Sequence, residues 1–287
     1  MAGRPARKIS DLFVLLLYLL ATSAGFVGLK IRADRIPRTR IPGSSIIYVP
    51  SGKFLKYATF GYSSLAADLI YLWAIQYYST YEIADRFAHL DHIFSIIAEL
   101  DPAYTDPYEV GSLIAGQEAG NIPLALKILD RGLEKNPGAW LFPFEAGNIA
   151  QMQLKDYALA REYYAKAMTR PGAPDLIKRL YASATFRTMD YKASWDTWLE
   201  IYNTAKDEQI RKTASNHLYQ VKSAVDVGAL KEAVAAFKAR YRRLPAALGQ
   251  LAEAGIMASV PRDMDGREYL YDPVTGDVKA ATIPWKR

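Results

Sequence analysis

A mainly helical fold is predicted: a helical solenoid behind an N-terminal transmembrane helix, followed by a small C-terminal α/β tail with a β-hairpin. Three features carry this expectation. Positions 106–205 repeat with a period of 34–35 residues. An uncharged apolar run of 18 residues separates Asp11 from Lys30. After Pro245 short apolar pairs flank a turn rich in Asp, Pro and Gly. The chain therefore divides into an anchor (1–31), a tether (32–53), the helical solenoid (54–227) and a C-terminal helix plus β-hairpin (228–287).

The anchor comes first. The run from Leu12 to Leu29 holds only Thr22 and Ser23 as polar interruptions besides Tyr18. As a helix it covers about 27 Å, close to the hydrocarbon thickness of a bilayer. Residues 9–29 are thus expected to insert in the membrane, as an uncleaved anchor or a signal sequence, and the surroundings of Thr22-Ser23-Ala24 suit signal cleavage poorly. Three basic residues precede the span and five follow it within residue 40. That count alone would keep the body in the cytoplasm, but long domains translocate largely regardless of charge. The short basic head (Arg4, Arg7, Lys8) resembles a signal-anchor head, so the expectation is a single-pass protein of a bacterial-type inner membrane with its body outside the cytoplasm.

The net charge of +6 belongs to the same region. Residues 1–40 carry eight basic side chains against Asp11 and Asp34, which leaves 28 basic and 28 acidic residues on the rest of the chain. A neutral body gives no phosphate-binding face, so no nucleic-acid partner is expected. The absence of cysteine excludes disulfides, thiolate metal sites and thiol catalysis.

Pro37, Pro42-Gly43-Ser44-Ser45 and Pro50 break any helix in the tether, and Ile46-Ile47-Tyr48-Val49 has the composition of one short strand. Residues 54–79 are apolar but are interrupted by Lys56 and Asp68 too often for a second span. Ser63-Ser64 offers an N-cap for a helix running to Tyr78, expected to be buried whole against the first repeat. The alternative is an aromatic face (Tyr57, Phe60, Tyr62, Tyr71, Trp73, Tyr77, Tyr78) meeting lipid or a membrane partner. A helix over Ile83–Leu100 would align Glu82, Asp85, His89 and His92 on one face, which is metal-like spacing. Since such sites draw ligands from more than one element, a solvated polar face is the expected reading, and no metal or cofactor is assigned.

The repeat itself is carried by named positions. Asp156-Tyr157 recurs as Asp190-Tyr191. Ala125, Ala160 and Ser194 keep spacings of 35 and 34, as do Leu129, Tyr164 and Trp198. Asn136-Pro137 and Arg170-Pro171 close two units 34 residues apart, and Asp101-Pro102 closes an earlier one. Gly132 and Ala167 complete a small–large–small rhythm in which small residues let paired helices approach and the large one fills the gap beside them. On these residues the stretch 106–205 resembles tetratricopeptide repeats (TPR).

That resemblance implies a scaffold rather than a chemistry, with protein partners bound in a groove lined by the first helix of each unit. By register the groove would present Val110, Ile114, Gln117, Phe142, Glu145, Ile149, Met152, Arg179, Ser183 and Phe186. It is largely apolar, with one acid and one base, and suits an extended peptide or a helix.

Residues 207–225 and 229–241 read as two further helices, the first capping the solenoid. Tyr269-Leu270-Tyr271 and Val278-Lys279-Ala280 flank Asp272-Pro273-Val274-Thr275-Gly276-Asp277. Asp and Pro open a type I turn and Gly suits the left-handed position after it, which gives a hairpin. Tyr241, Leu244-Pro245, Leu248, Leu251, Gly255, Pro261, Asp263, Gly266, Tyr269, Tyr271, Asp272, Gly276 and Val278 make this tail similar to the C-terminal part of type II secretion pseudopilins. The similarity implies calcium near Asp263, Asp265, Asp272 and Asp277. As residues, these aspartates read as turn formers.

No phosphate-cradling glycine loop, HExxH pair or GxSxG elbow occurs, and three histidines leave little for acid–base work. The expected function is a membrane-anchored protein–protein interaction scaffold of the cell envelope, not an enzyme and with no small-molecule substrate. The alternative is a permanent accessory subunit of a membrane assembly, for pili, secretion or another complex. A metal protein or enzyme using His89 and His92 is the third reading.

Overall fold

The second helix of each repeat unit starts where the sequence supplies a side-chain acceptor for its free N–H groups. In a computed structural model that describes residues 6–35, 49–83 and 85–286, the helices are α1 (Ala6–Asp34), α2 (Gly52–Ala58), α3 (Ser63–Tyr78), α4 (Leu90–Leu100) and α5 (Asp106–Leu113). They continue with α6 (Ile122–Lys135), α7 (Leu141–Ile149), α8 (Tyr157–Met168), α9 (Asp175–Arg187), α10 (Tyr191–Thr204), α11 (Glu208–Tyr241) and α12 (Gly249–Glu253). The side chains of Asn121, Asp156 and Asp190 accept from the backbone N–H three residues on, at 3.1, 2.9 and 3.2 Å. They sit 35 and 34 residues apart, so the period is also a period of caps. Asp207 caps α11 with two such bonds, at 2.7 and 3.0 Å.

The chain forms two units. One holds α1 and the segment Thr80–Arg86; the other holds Val49–Ser79 and Phe87 onward. In the first unit, Val14–Arg32 of α1 is one helix long and apolar enough to cross a membrane, with none of it buried. Thr22 donates its hydroxyl to the carbonyls of Tyr18 and Leu19 at 2.9 and 3.0 Å, so the polar group is satisfied within the helix and needs no water. The predicted tether falls mostly outside the described residues, as does the strand expected at 46–49.

In the second unit every helix from α5 to α11 packs on its predecessor and its successor. The equivalent positions behave alike. Ala125, Ala160 and Ser194 are 0% exposed, and Leu129, Tyr164 and Trp198 are buried behind them. A Cβ on Gly147 would lie 2.6 Å from the Tyr164 ring, and one on Gly111 would lie 2.8 Å from Phe94, so these helices approach at distances only glycine permits. Asn136 donates to the Pro102 carbonyl at 2.9 Å, one full period away.

Three expectations change. The helix predicted from Ile83 begins at Leu90, because the described residues before it form turns (Ile83 N–H to the Thr80 carbonyl, Arg86 N–H to that of Ile83, Leu90 N–H to that of Phe87). The two helices expected at 207–225 and 229–241 are one helix of 34 residues. A lone Gly228 costs about 1 kcal/mol in a helix and does not stop it without a left-handed turn. Finally, α5 and α7 each end in a π-helical turn, Ile114–Glu118 and Ala150–Leu154. The i→i+5 bonding adds a residue to the turn and rotates everything after it relative to an α-helical register.

The tail is built as the turn chemistry predicts. Strand β1 (Leu270–Tyr271) pairs antiparallel with β2 (Val278–Lys279), Leu270 opposite Lys279 and Tyr271 opposite Val278. Asp272 accepts from the Val274 N–H at 2.9 Å, and Gly276 takes φ 79°. The sheet rests on the second half of α11 through Leu230, Val234, Phe237, Tyr269 and Val278. Tyr269 and Tyr219 fasten the two halves by donating to Asp226 and Asp263 at 2.6 and 2.7 Å.

Candidate functional site

The ten residues expected to line one groove separate into three environments. Phe142 and Ile114 are core residues, 1% and 6% exposed, which corrects their assignment to an open groove. Phe142 packs edge-on against Tyr108 at 5.5 Å and against Gly132. The reason is register: on α7 the side that takes Phe142 inward is the side facing α5 and α6, and at α5 the π turn begins at Ile114 itself. Val110, Glu145, Ile149, Arg179, Ser183 and Phe186 are half-buried, and only Gln117 and Met152 are exposed. Burial holds the Glu145 carboxyl above its ordinary range despite a hydrogen bond from Asn148, so it is no free acid. Arg179 lines a cleft of about 400 Å³ with Asp175, Lys178, Ile201, Lys206 and Asp207.

Ser183 and Phe186 are brought together with residues that the register did not indicate. They line a cleft of about 290 Å³ with Gln151 at the end of α7, Tyr157 at the start of α8, His217 and Gln220 of α11, and Trp285 near the C-terminus. The floor is an aromatic stack. Buried Trp198 lies 3.9 Å from the His217 ring at 11°, and Trp285 meets the other side of that ring edge-on at 4.7 Å. One wall is Phe186 against Tyr191 at 5.5 Å, and another is Tyr157 beneath the Arg187 guanidinium. The side-chain carbonyl oxygen of Gln151 is itself buried, without a hydrogen-bond partner. The cleft thus offers the aromatic faces of Phe186, Tyr157 and Trp285 beside Ser183, Gln220 and the Arg187 guanidinium.

His217 Nδ1 lies 3.1 Å from the Gln220 side-chain oxygen, which makes that nitrogen the donor. Burial lowers the imidazole pKa below its ordinary 6.5, more than the Gln220 bond raises it. The folded state therefore binds this proton less readily than the unfolded chain, so the contribution is fully present above pH 6.5 and is lost as the pH falls toward the folded value. A urea midpoint that declines on acidification from pH 7, with a shallower decline in His217→Phe, is the expected result; equal slopes would remove His217 from the account.

The metal-like set does not assemble as predicted. Only His92 lies on α4, with its Nε2 2.9 Å from the Val49 carbonyl oxygen, while Glu82, Asp85 and His89 sit in the turns before it. Among the described residues no group of three or more His, Asp or Glu side chains is placed to hold a metal ion. The tail aspartates have structural partners. Burial pushes the Asp263 carboxyl up, but hydrogen bonds from Tyr219 and from the Arg267 and Asp265 amides hold it below its usual range. Asp277 is held down to about 2 by Lys279 and Lys231.

Trp285, His217 and Gln151 carried no signal in the sequence. Each lies far from the others along the chain; His217 and Trp285 lie outside the repeat, and only Gln151, 34 residues after Gln117, falls within it. No protein-family model matches this chain, and no curated protein matches it.

Proposed function

We propose that this protein is a single-pass, membrane-anchored scaffold whose TPR-like helical solenoid holds another envelope protein beside a bacterial-type inner membrane. The observation that carries this reading is the neighbour-on-neighbour stacking of α5 to α11 with caps, small residues and large residues equivalent at 34–35-residue spacing. Stacked helix pairs of this kind expose long faces without a catalytic centre, and binding is their common use. The apolar, unburied Val14–Arg32 helix supports the anchor. The large body after it, which would translocate regardless of flanking charge, supports an extracytoplasmic side.

The partner is taken in the Ser183–Phe186–His217 cleft rather than along a groove centred on Phe142. A segment in extended form would lay an apolar side chain against Phe186 and Trp285 and a polar one beside Ser183 and Gln220. Photo-cross-linking from residue 183 in intact membranes, followed by mass spectrometry, tests this. A discrete adduct with one envelope protein is expected, lost in Phe186→Ala and absent when the cross-linker stands at exposed Lys231. The same products from both positions, or none from residue 183, would overturn the proposal. The identity of the adduct also reports the side of the membrane.

A further inference from the structure

Helix α3 is apolar apart from Ser63, Ser64, Asp68 and Gln76, and only one side of it is covered. Ala67, Tyr71, Ala74 and Tyr78 are buried where α3 packs on α4. The opposite stripe, Leu65, Leu69 and Leu72, is 55–61% exposed. A soluble helix normally turns polar residues to water. Helix α2 also packs on α4, and it turns Phe54 and Tyr57 outward. The turn between them presents Phe60, 88% exposed with φ 48°, followed by Gly61 at φ 93°. A bulky residue in the left-handed region costs of order 1 kcal/mol or more, and here that conformation directs a phenyl ring into the open. A patch of this extent marks an interaction surface.

We infer that the α2–α3 face rests in the headgroup and upper acyl region of the bilayer that α1 enters, giving the protein a second, interfacial membrane contact. Three observations select lipid as the occupant. Residues 35–51 link α1 to α2, and at full extension they span about 58 Å, so α2 stays tethered within reach of the membrane surface. The face combines a leucine stripe, Phe and Tyr at its turn, and the exposed Lys53 beside Phe54 on α2, the pattern of an interfacial helix on an anionic surface. Asp68, exposed three residues after Leu65 and four before Leu72, is the only acid between Val49 and Tyr78. The inference rests on the anchor reading and is independent of the cleft.

The absence of cysteine makes the test direct. Phe60→Cys, Leu69→Cys and, as controls, Leu20→Cys in α1 and Lys212→Cys in α11 are labelled with a fluorophore. The full chain is reconstituted in nanodiscs of mixed phosphatidylcholine and phosphatidylglycerol. Labels at 60 and 69 are expected to be quenched by doxyl-labelled lipid and to be roughly fivefold less accessible to iodide than the label at 212. Iodide access equal to that at 212 would refute the inference. So would shielding from iodide without lipid quenching, which means a protein cover or a second copy. Lipid quenching at 20 but not at 60 and 69 defeats this inference alone; none at 20 defeats the anchor and the inference together.

Discussion

Trp198→Ala is expected to destabilise the protein by about 3–5 kcal/mol, a large share of the roughly 5–15 kcal/mol that holds a typical domain. Trp198 is 1% exposed and packs in a cluster with Ala182, Ile201, Ala214, Leu218 and Val221. It also carries the stack on His217, so its loss opens a cavity and unseats one wall of the cleft. The same position holds Leu129 and Tyr164 in the preceding units, and Trp198→Leu should therefore retain part of the packing and cost less than alanine. Urea denaturation followed by far-ultraviolet circular dichroism measures both. The two variants losing the same amount would mean that the position is not filled by volume. The cross-linking yield from residue 183 should fall with Trp198→Ala even where the helices persist, because the aromatic floor of the cleft depends on it.

Gly147→Ala is the second large effect, expected to cost about 1–3 kcal/mol although it adds one methyl group. The new Cβ would sit 2.6–3.1 Å from three atoms of the Tyr164 ring, which is itself 0% exposed and donates to Asn148 at 3.0 Å. A buried ring held by a hydrogen bond has no space to retreat, so α7 and α8 must separate. Gly138→Ala is the control: its Cβ meets nothing within 4 Å, and a change within about 0.5 kcal/mol is expected. If Gly147→Ala left the melting curve unchanged, the close approach of first and second helices would not be what holds this unit.

Both effects stem from positions where sequence and structure agree for local reasons. Asp156 and Asp190 cap the helices that follow because a short carboxylate reaches an N–H three residues on, whatever the rest of the chain does. Ala160, Ser194, Tyr164 and Trp198 repeat because one packing arrangement repeats. The hairpin is written in Asp272 and Gly276, whose side-chain bond and positive φ act within six residues. The apolar run of α1 is likewise a matter of composition, and its length decides that it can span a bilayer.

The errors share the opposite character. Phe142 and Ile114 turn inward because α7 packs on α5 and α6 and α5 packs on α4 and α6, and no residue within the first helices themselves sets which side those contacts take. Helix α11 runs through Gly228 because packing on α10 at one end and on the tail at the other outweighs a local cost of about 1 kcal/mol. Helix α3 was expected to be buried whole from its apolar content, but burial depends on how many neighbours the chain can bring, and α4 reaches one side only.

The sequence by itself determined where this protein has helices, how they begin, that they repeat, and that an apolar segment of membrane-spanning length precedes them. Those properties are set by interactions within a few residues or by the composition of one segment. Tertiary structure alone decided which first-helix side chains reach solvent, that His217 is sandwiched between Trp198 and Trp285, and that an apolar face from Phe54 to Leu72 is left open. These depend on contacts between residues tens of positions apart, where a rotation of one residue per turn exchanges core for surface.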